Sequence, residues 1–370
     1  MKIAILKYPY PSTYYVYNES VNSIRNLCYE MIGFVGADPK EVGDVLLGSL
    51  IYPLQQIASL DYDVLLVPLF EEDFERFKIQ LQQFGVDMGK VKSVSWLLQE
   101  EMRLRYEGSS DEAVRDTLRW WETHDLSVFN QYMDGVPDTY DEVFFDENVD
   151  LPYILFKTVE DIEKKMFFPK EQYFVQKHDK KYKENILKEQ VPSSPHVYTN
   201  ETHKVMDGDI LIDAGVCEGN FALKYVDVAS RIYLIEANPA WAKPLYYTFK
   251  DYENKVTLLP KKAGNSEKPD TVRLDDVIKE DSDSRIFLKM DIEGAEVEAL
   301  HGASRLLGRK NVCCSLCCYH TFNDNVKIKS ILSKYGYKTS YTDGHMVFVY
   351  SPDIWTFKDF RKGVIYGDCQ

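Results

Sequence analysis

The chain is short of positive charge. Its 44 Lys and Arg stand against 59 Asp and Glu, a formal net charge of -15 at pH 7 over 370 residues. Non-specific binding to nucleic acid or to an anionic membrane needs a basic face, and this balance argues against both. Long apolar runs are missing too: no signal-type core and no stretch able to span a bilayer occurs. The seven cysteines follow no secreted framework, so a reducing, cytoplasmic setting is expected. The dinucleotide fingerprint G-x-G-x-x-G is also absent. What is present fits a packed globular protein: 45% hydrophobic and 28% charged residues. Aromatics reach 14%, with 26 Tyr, enough for core and interface and for a surface on which a flat ligand or sugar could stack.

One stretch organises the rest. Ile210, Leu211 and Ile212 form a short apolar run, as a strand covered on both faces requires. Asp213 ends it, and Gly215 and Gly219 allow a tight turn that a ligand can approach closely. From Phe221 a helical stripe begins. The glycines are spaced G-x-x-x-G, with Asp213 before them and Glu218 between. Two carboxylates there would repel a diphosphate at close range but tolerate a cationic or zwitterionic ligand, of which S-adenosylmethionine is one. The next strand, Arg231 to Ile235, runs into Glu236, where an acid accepts hydrogen bonds from ribose hydroxyls. The expected cofactor-binding set is Asp213, Ala214, Gly215, Glu218, Gly219, Asn220, Glu236 and Ala237. Ala263 joins it from the loop 261–265, which lies near the adenine edge of such a sheet.

The first half reads as a smaller parallel α/β unit. Strands are expected at Ile3–Leu6, Ile32–Gly36, Tyr62–Pro68 and Val91–Val94, with helices at Asn22–Met31 and Glu71–Phe84. A long helix from Gln99 to Tyr132 carries Trp120 and Trp121, which read as packing or as a stacking platform. Gly135 to Asp138 breaks it. Thr158 to Met166 reads as a short charged helix, and Lys177 to Lys188 as a Lys-rich stretch before a Pro-Ser loop. This places an N-terminal domain at 1–135, a linker at 136–165 and a second domain at 166–370. The first unit is expected to scaffold, to dimerise, or to bind an acceptor or nucleotide.

A second dense stretch, Arg285 to Glu296, repeats strand, acidic turn and helix. Alternation sends Lys289 and Asp291 to one face of the strand end, with Glu293 in the turn. Four cysteines crowd into Cys313–Cys318, but an extended strand points Cys313 and Cys317 one way and Cys314 and Cys318 the other. They cannot converge on one zinc, so buried packing is expected. His320 caps that strand at the ligand edge, as a structural group or as a base. Asp275 and Asp276 read as a helix cap and surface. Tyr337–Tyr341 and Met346–Tyr350 are expected to pair as an antiparallel hairpin around Asp343-Gly344.

Residues from about 168 to 350 resemble the FkbM family of S-adenosylmethionine-dependent methyltransferases. The resemblance rests on D-A-G-x-x-x-G-N (Asp213–Asn220), I-E-A-N-P (Ile235–Pro239), L-D-D (Leu274–Asp276), K-M-D-I-E-G-A-E (Lys289–Glu296), L-H-G-A (Leu300–Ala303) and C-Y-H with Asp324. It implies a class I Rossmann-like sheet closed by an antiparallel hairpin, and O-methylation of a sugar hydroxyl in a glycan, nucleotide sugar or natural product. Asp291 and His320 would then orient and deprotonate the acceptor, with Lys289 and Glu293 fixing them or binding substrate. Where many relatives carry an acid before this His, Cys318 stands here, which leaves the proton acceptor open. A Mg²⁺ on Asp291 and Glu293 is an alternative. The rivals are a nicotinamide-dependent reductase and a non-catalytic scaffold.

Overall fold

The computed structural model describes every residue except 8–12, 69–77, 79–80, 125, 127–129, 134–142, 171–187, 267, 279–282, 348–352 and 369–370. The expected break at Gly135–Asp138, and most of the Glu71–Phe84 helix and the Lys-rich stretch, lie outside the described residues. The chain divides into two compact units: Met1–Ser127 with Pro352–Asp359, and Val128–Ser351 with Phe360–Gln370.

The first unit is built on β1 (Lys2–Lys7), β2 (Glu30–Gly36), β3 (Val45–Leu46), β4 (Ser49–Pro53), β5 (Val64–Val67) and β6 (Val91–Ser93). Their order is β3-β4-β2-β1-β5-β6, parallel except for the β3–β4 hairpin. The central β1 is apolar on both faces because both are covered: Ala4 and Leu6 enter one core layer, Ile3 and Ile5 the other. The helix expected over Asn22–Met31 instead spans Thr13–Asn26, and Met31 belongs to β2. Cys28, in the left-handed region at φ 56°, turns the chain between them. Two helices, Val94–Tyr106 and Glu112–Trp120, and a short 3-10 turn replace the single long helix. Asp111 caps the second by accepting from the N–H groups of Ala113 and Val114. Trp121 is buried, and Trp120 stacks on His124 at 4.2 Å.

The second unit begins with an antiparallel sheet of β7 (Phe144–Asp146), β8 (Leu151–Lys157) and β9 (Glu163–Phe167). These strands take up 13 of the 30 residues expected to be a linker, and β9 takes the place of the Thr158–Met166 helix. The reason is pairing: Ile154 faces Met166 across the ladder, and both are fully buried in the main core. The main sheet comprises β10 (Ile210–Ala214), β11 (Arg231–Ile235), β12 (Val256–Leu259), β15 (Ile286–Met290), β16 (Val312–Cys317), β17 (Lys338–Tyr341) and β18 (Val364–Asp368). Two short strands, β13 (Lys262–Ala263) and β14 (Thr271–Val272), pair beside it.

The order is β12-β11-β10-β15-β16-β18-β17, with the first five parallel and β18 antiparallel to both neighbours. This is the expected Rossmann-like sheet with an antiparallel closure, but the closing arm differs. β17 pairs with Val364–Asp368; of the expected arm Met346–Tyr350, Met346 bridges Arg361 and residues 348–350 lie outside the described residues. Gly367 suits that slot, since a Cβ there would sit 2.7 Å from Cys314 Sγ. The cysteines divide as alternation requires: Cys313 and Cys317 enter one core layer, Cys314 and Cys318 the other. The strand order reverses between β10 and β15, which opens a crevice at their carboxyl ends.

Candidate active site

Four strand ends deliver acids or histidine to that edge: Asp213 from β10, Glu236 after β11, Asp291 after β15 and His320 after β16. The turn after β10 is held on three sides. Gly215 N–H donates to the Ile235 carbonyl at 2.9 Å, and Asp291 N–H donates to the Ala214 carbonyl at 2.9 Å. Gly215, at φ 77°, lies so close to the β15 turn that a Cβ would fall 1.6 Å from the Asp291 carbonyl oxygen. Gly219, at φ 84°, packs on Phe249 and Leu245, which a Cβ would meet at 2.9 and 3.0 Å. Glu236 accepts from the N–H of Cys217 at 2.9 Å and of Asn238 at 2.7 Å, so it shapes the turn as well as lining it.

Asp213 is fully buried, and its Oδ1 lies 3.0 Å from Lys289 Nζ. Its Oδ2 has no hydrogen-bond partner among the described residues. Glu218 is buried nearby. Burial first, then the charges of Glu189 and Asp213, push its pKa up to about 8.

Asp291 sits among histidines and a tyrosine. Its Oδ2 accepts from Tyr198 Oη at 2.6 Å and lies 3.1 Å from His196 Nε2; its Oδ1 lies 3.3 Å from His320 Nε2. Burial alone would raise its pKa, but His196, His320 and Lys289 outweigh this and hold it well below the usual carboxylate range. His320 is sandwiched: its Nδ1 lies 3.0 Å from Glu296 Oε1. Burial opposes a charge on this ring, yet Glu296 and Asp291 prevail and raise its pKa. His196 behaves alike, opposed by burial but raised to about 9 by Asp291 and Glu189. Arg361 Nη1 fixes the backbone by donating to the carbonyls of Tyr319 and His320, at 2.9 and 3.0 Å.

Residues 243–339 match the model of the methyltransferase FkbM domain. The second unit carries an FkbM domain. The enzyme is accordingly an S-adenosylmethionine-dependent methyltransferase. No curated protein matches the chain. Among solved structures it is similar to methyltransferase FkbM from Methylobacillus flagellatus KT, at 16% identity and a TM-score of 0.43, over 99% of this chain and 89% of that one. It is also similar to precorrin-6y C5,15-methyltransferase from Geobacter metallireducens GS-15, at 16% identity and a TM-score of 0.33, over 55% and 94%. An rRNA methylase from Streptococcus thermophilus aligns at 15% identity and a TM-score of 0.29, over 45% and 90%.

Within the second unit the expected residues fall into different settings. Asp213, Lys289, Asp291 and His320 gather at the crevice. Lys289 is buried and donates to the Gly215 carbonyl, so it braces the turn. Glu293 is largely exposed, its side chain 79% accessible, and comes to 3.6 Å from His320 Nε2. Asn220 opens the helix Asn220–Lys224, Ala237 is exposed beyond Glu236, and Ala263 is buried in β13. Asp275 does act as a cap, but for a helix about 30 residues on: it accepts from the N–H groups of Arg305 and Leu306.

The sequence pattern does not mark His196, Tyr198 or Glu189 as site residues, and Glu296 enters it only as the last acid of K-M-D-I-E-G-A-E. His196 and Tyr198 alternate in Pro195-His196-Val197-Tyr198, a spacing that puts both on one side of an extended segment. Ser315 Oγ anchors that segment by donating to the Tyr198 carbonyl at 2.7 Å. No helix among the described residues is long and apolar enough to cross a membrane.

Proposed function

We propose that the enzyme transfers a methyl group to a hydroxyl oxygen, the acceptor being a sugar in a glycan, a nucleotide sugar or a natural product. The carrying observation is the contact between Gly215 and Asp291. It sets the turn expected to hold the donor directly against a carboxylate flanked by two buried histidines. The resemblance to FkbM methyltransferases supplies the sugar class.

The residues suit the donor. Asp213 Oδ2, buried without a hydrogen-bond partner, would take an ammonium N–H, and the turn Gly215–Asn220 would surround the methionine part. Glu236 would accept from ribose hydroxyls, with Ala237 and Ala263 toward the base. S-adenosylmethionine, when bound, supplies a methyl on a good leaving group, so alignment is the larger task for the protein. Asp291 accepts a hydrogen bond from the acceptor hydroxyl and aims its oxygen along the line of attack. His320, gripped by Glu296, keeps Asp291 oriented, and the acceptor's proton leaves through the partly exposed Asp291 carboxylate to solvent.

Calorimetry with S-adenosylmethionine and with NAD, followed by a screen of sugar hydroxyl acceptors for S-adenosylhomocysteine release, tests the reading. Donor binding with turnover on a sugar is expected. Binding of NAD alone, or of neither, would overturn it, and turnover only on nitrogen acceptors would refute the hydroxyl assignment.

A further inference from the structure

Beside the acceptor position, Asp291 shares a set of metal-type ligands with His196 and Cys317, two residues that neither acceptor binding nor the hold on S-adenosylmethionine uses. The ligating atoms of His196, Asp291 and Cys317 all lie within 4.8 Å of one another. His196 Nε2 is 3.1 Å from Asp291 Oδ2 and 3.4 Å from Cys317 Sγ. Zinc bonds of about 2.0–2.3 Å in a tetrahedron set neighbouring donors about 3.3–3.8 Å apart. Movements of about 0.3 Å would therefore bring these two edges into range.

The surroundings match a metal centre in two further respects. A ligating imidazole keeps its other nitrogen on a carboxylate, and His196 Nδ1 lies 3.4 Å from Glu189 Oε2. A ligating carboxylate is itself hydrogen-bonded, and Asp291 accepts from Tyr198 Oη. His196 and Cys317 are buried, whereas the Asp291 side chain is 17% exposed, so the acid is the ligand nearest solvent; the hydroxyls of Tyr198 and Tyr319 also reach His196 Nε2, at 3.1 and 3.2 Å. Three protein ligands with an open fourth position is the arrangement of a catalytic rather than a structural zinc. The mixture of sulfur, nitrogen and oxygen suits zinc or a similar late first-row ion, and excludes Mg²⁺, which takes oxygen ligands.

A neighbouring trio, Asp291, Glu296 and His320, is less suited. It brings no sulfur donor, and so lacks the soft ligand that sets the first trio apart. Cys317 alone of its run of four contributes, because Cys314 and Cys318 enter the opposite core layer and Cys313 lies two full alternations back along β16.

We propose that His196, Asp291 and Cys317 bind one zinc-class divalent cation whose open position faces the acceptor. There the ion would polarise an acceptor hydroxyl and ease loss of its proton. That use rests on the methyl-transfer reading; the binding of the ion does not.

The full chain, purified without chelator and analysed by mass spectrometry for metals, should carry one such ion. Stripped protein titrated with Co²⁺ should gain a thiolate-to-cobalt absorption in the near ultraviolet. Cys317→Ser should abolish this band, and His196→Ala should weaken Co²⁺ binding by about 100-fold or more. Cys28→Ser, an exposed cysteine of the first unit, should leave both intact. If Cys317→Ser fails to fold, the His196→Ala affinity decides the matter. Wild-type protein that shows no band with excess Co²⁺, or a band that survives Cys317→Ser, overturns the proposal. Calorimetry with S-adenosylmethionine on the same samples separates the two readings. Donor binding without the cobalt band sinks only the metal; a band without donor binding sinks only methyl transfer.

Discussion

Lys289 Nζ stands 3.0 Å from Asp213 Oδ1 with both side chains out of water, 5% and 1% exposed. The ammonium also donates to the Gly215 carbonyl and lies 5.0 Å from the centre of the Tyr198 ring. Burial opposes its charge, but the carboxylates of Asp213 and Asp291 prevail and raise its pKa. One cation thus ties two adjacent strand ends and the glycine turn together.

Removing that cation should cost far more than a surface ion pair would. Lys289→Met strands a buried carboxylate, and a loss of about 3–5 kcal/mol is expected in urea unfolding. Adding Asp213→Asn should recover part of the loss, so the double variant should be more stable than the sum of the single changes allows.

Gly215→Ala should be worse than an ordinary glycine replacement. The new methyl would overlap the Asp291 carbonyl at a backbone angle that L-residues rarely adopt. Either the turn or the β15 end must move. Stability should fall by about 3 kcal/mol or more, and binding of S-adenosylmethionine should be lost even where the variant folds. Thermal unfolding and calorimetry measure the two effects.

Glu218 makes stability depend on alkaline pH. Its folded pKa of about 8 lies above the ordinary 4.5, so the folded form binds the proton more tightly than the unfolded form does. The favourable contribution is complete below pH 4.5 and is lost as pH rises toward 8. Glu218→Gln mimics the protonated group. It should lie close to wild type in acid and be more stable, by on the order of a few kcal/mol, above pH 9. Urea unfolding across that range checks the sign.

Asp291→Asn keeps the shape and removes the charge. Turnover should drop about 100-fold or more, while affinity for S-adenosylmethionine stays within about 3-fold. An equal loss in both would move Asp291 from the acceptor side to the donor side. Steady-state rates and calorimetry on one preparation give both numbers.

The parts of the fold that could be read in advance are those set over short distances. An apolar run ending in Asp213 and a glycine pair signal a strand and a tight turn without reference to the rest of the chain. The same holds for Lys289–Glu296, and for the cysteine run, whose two faces follow from a period of two. Failures came where a partner decides. Thr158–Met166 has a helical look until β8 supplies a ladder and Met166 finds Ile154. More than one apolar run follows β17, and Val364–Asp368 pairs with it, where Gly367 leaves room for Cys314.

The linear order of residues by itself determined the class of sheet and the acidic strand ends, because charge and backbone freedom act locally. Only the tertiary structure brought His196 and Tyr198 to Asp291, more than 90 residues away, and placed Glu296 and Asp291 on either side of His320. No sequence period encodes such meetings. They follow from parallel strands that deliver every carboxyl end to one edge, where groups from distant segments share one buried volume and set each other's charge.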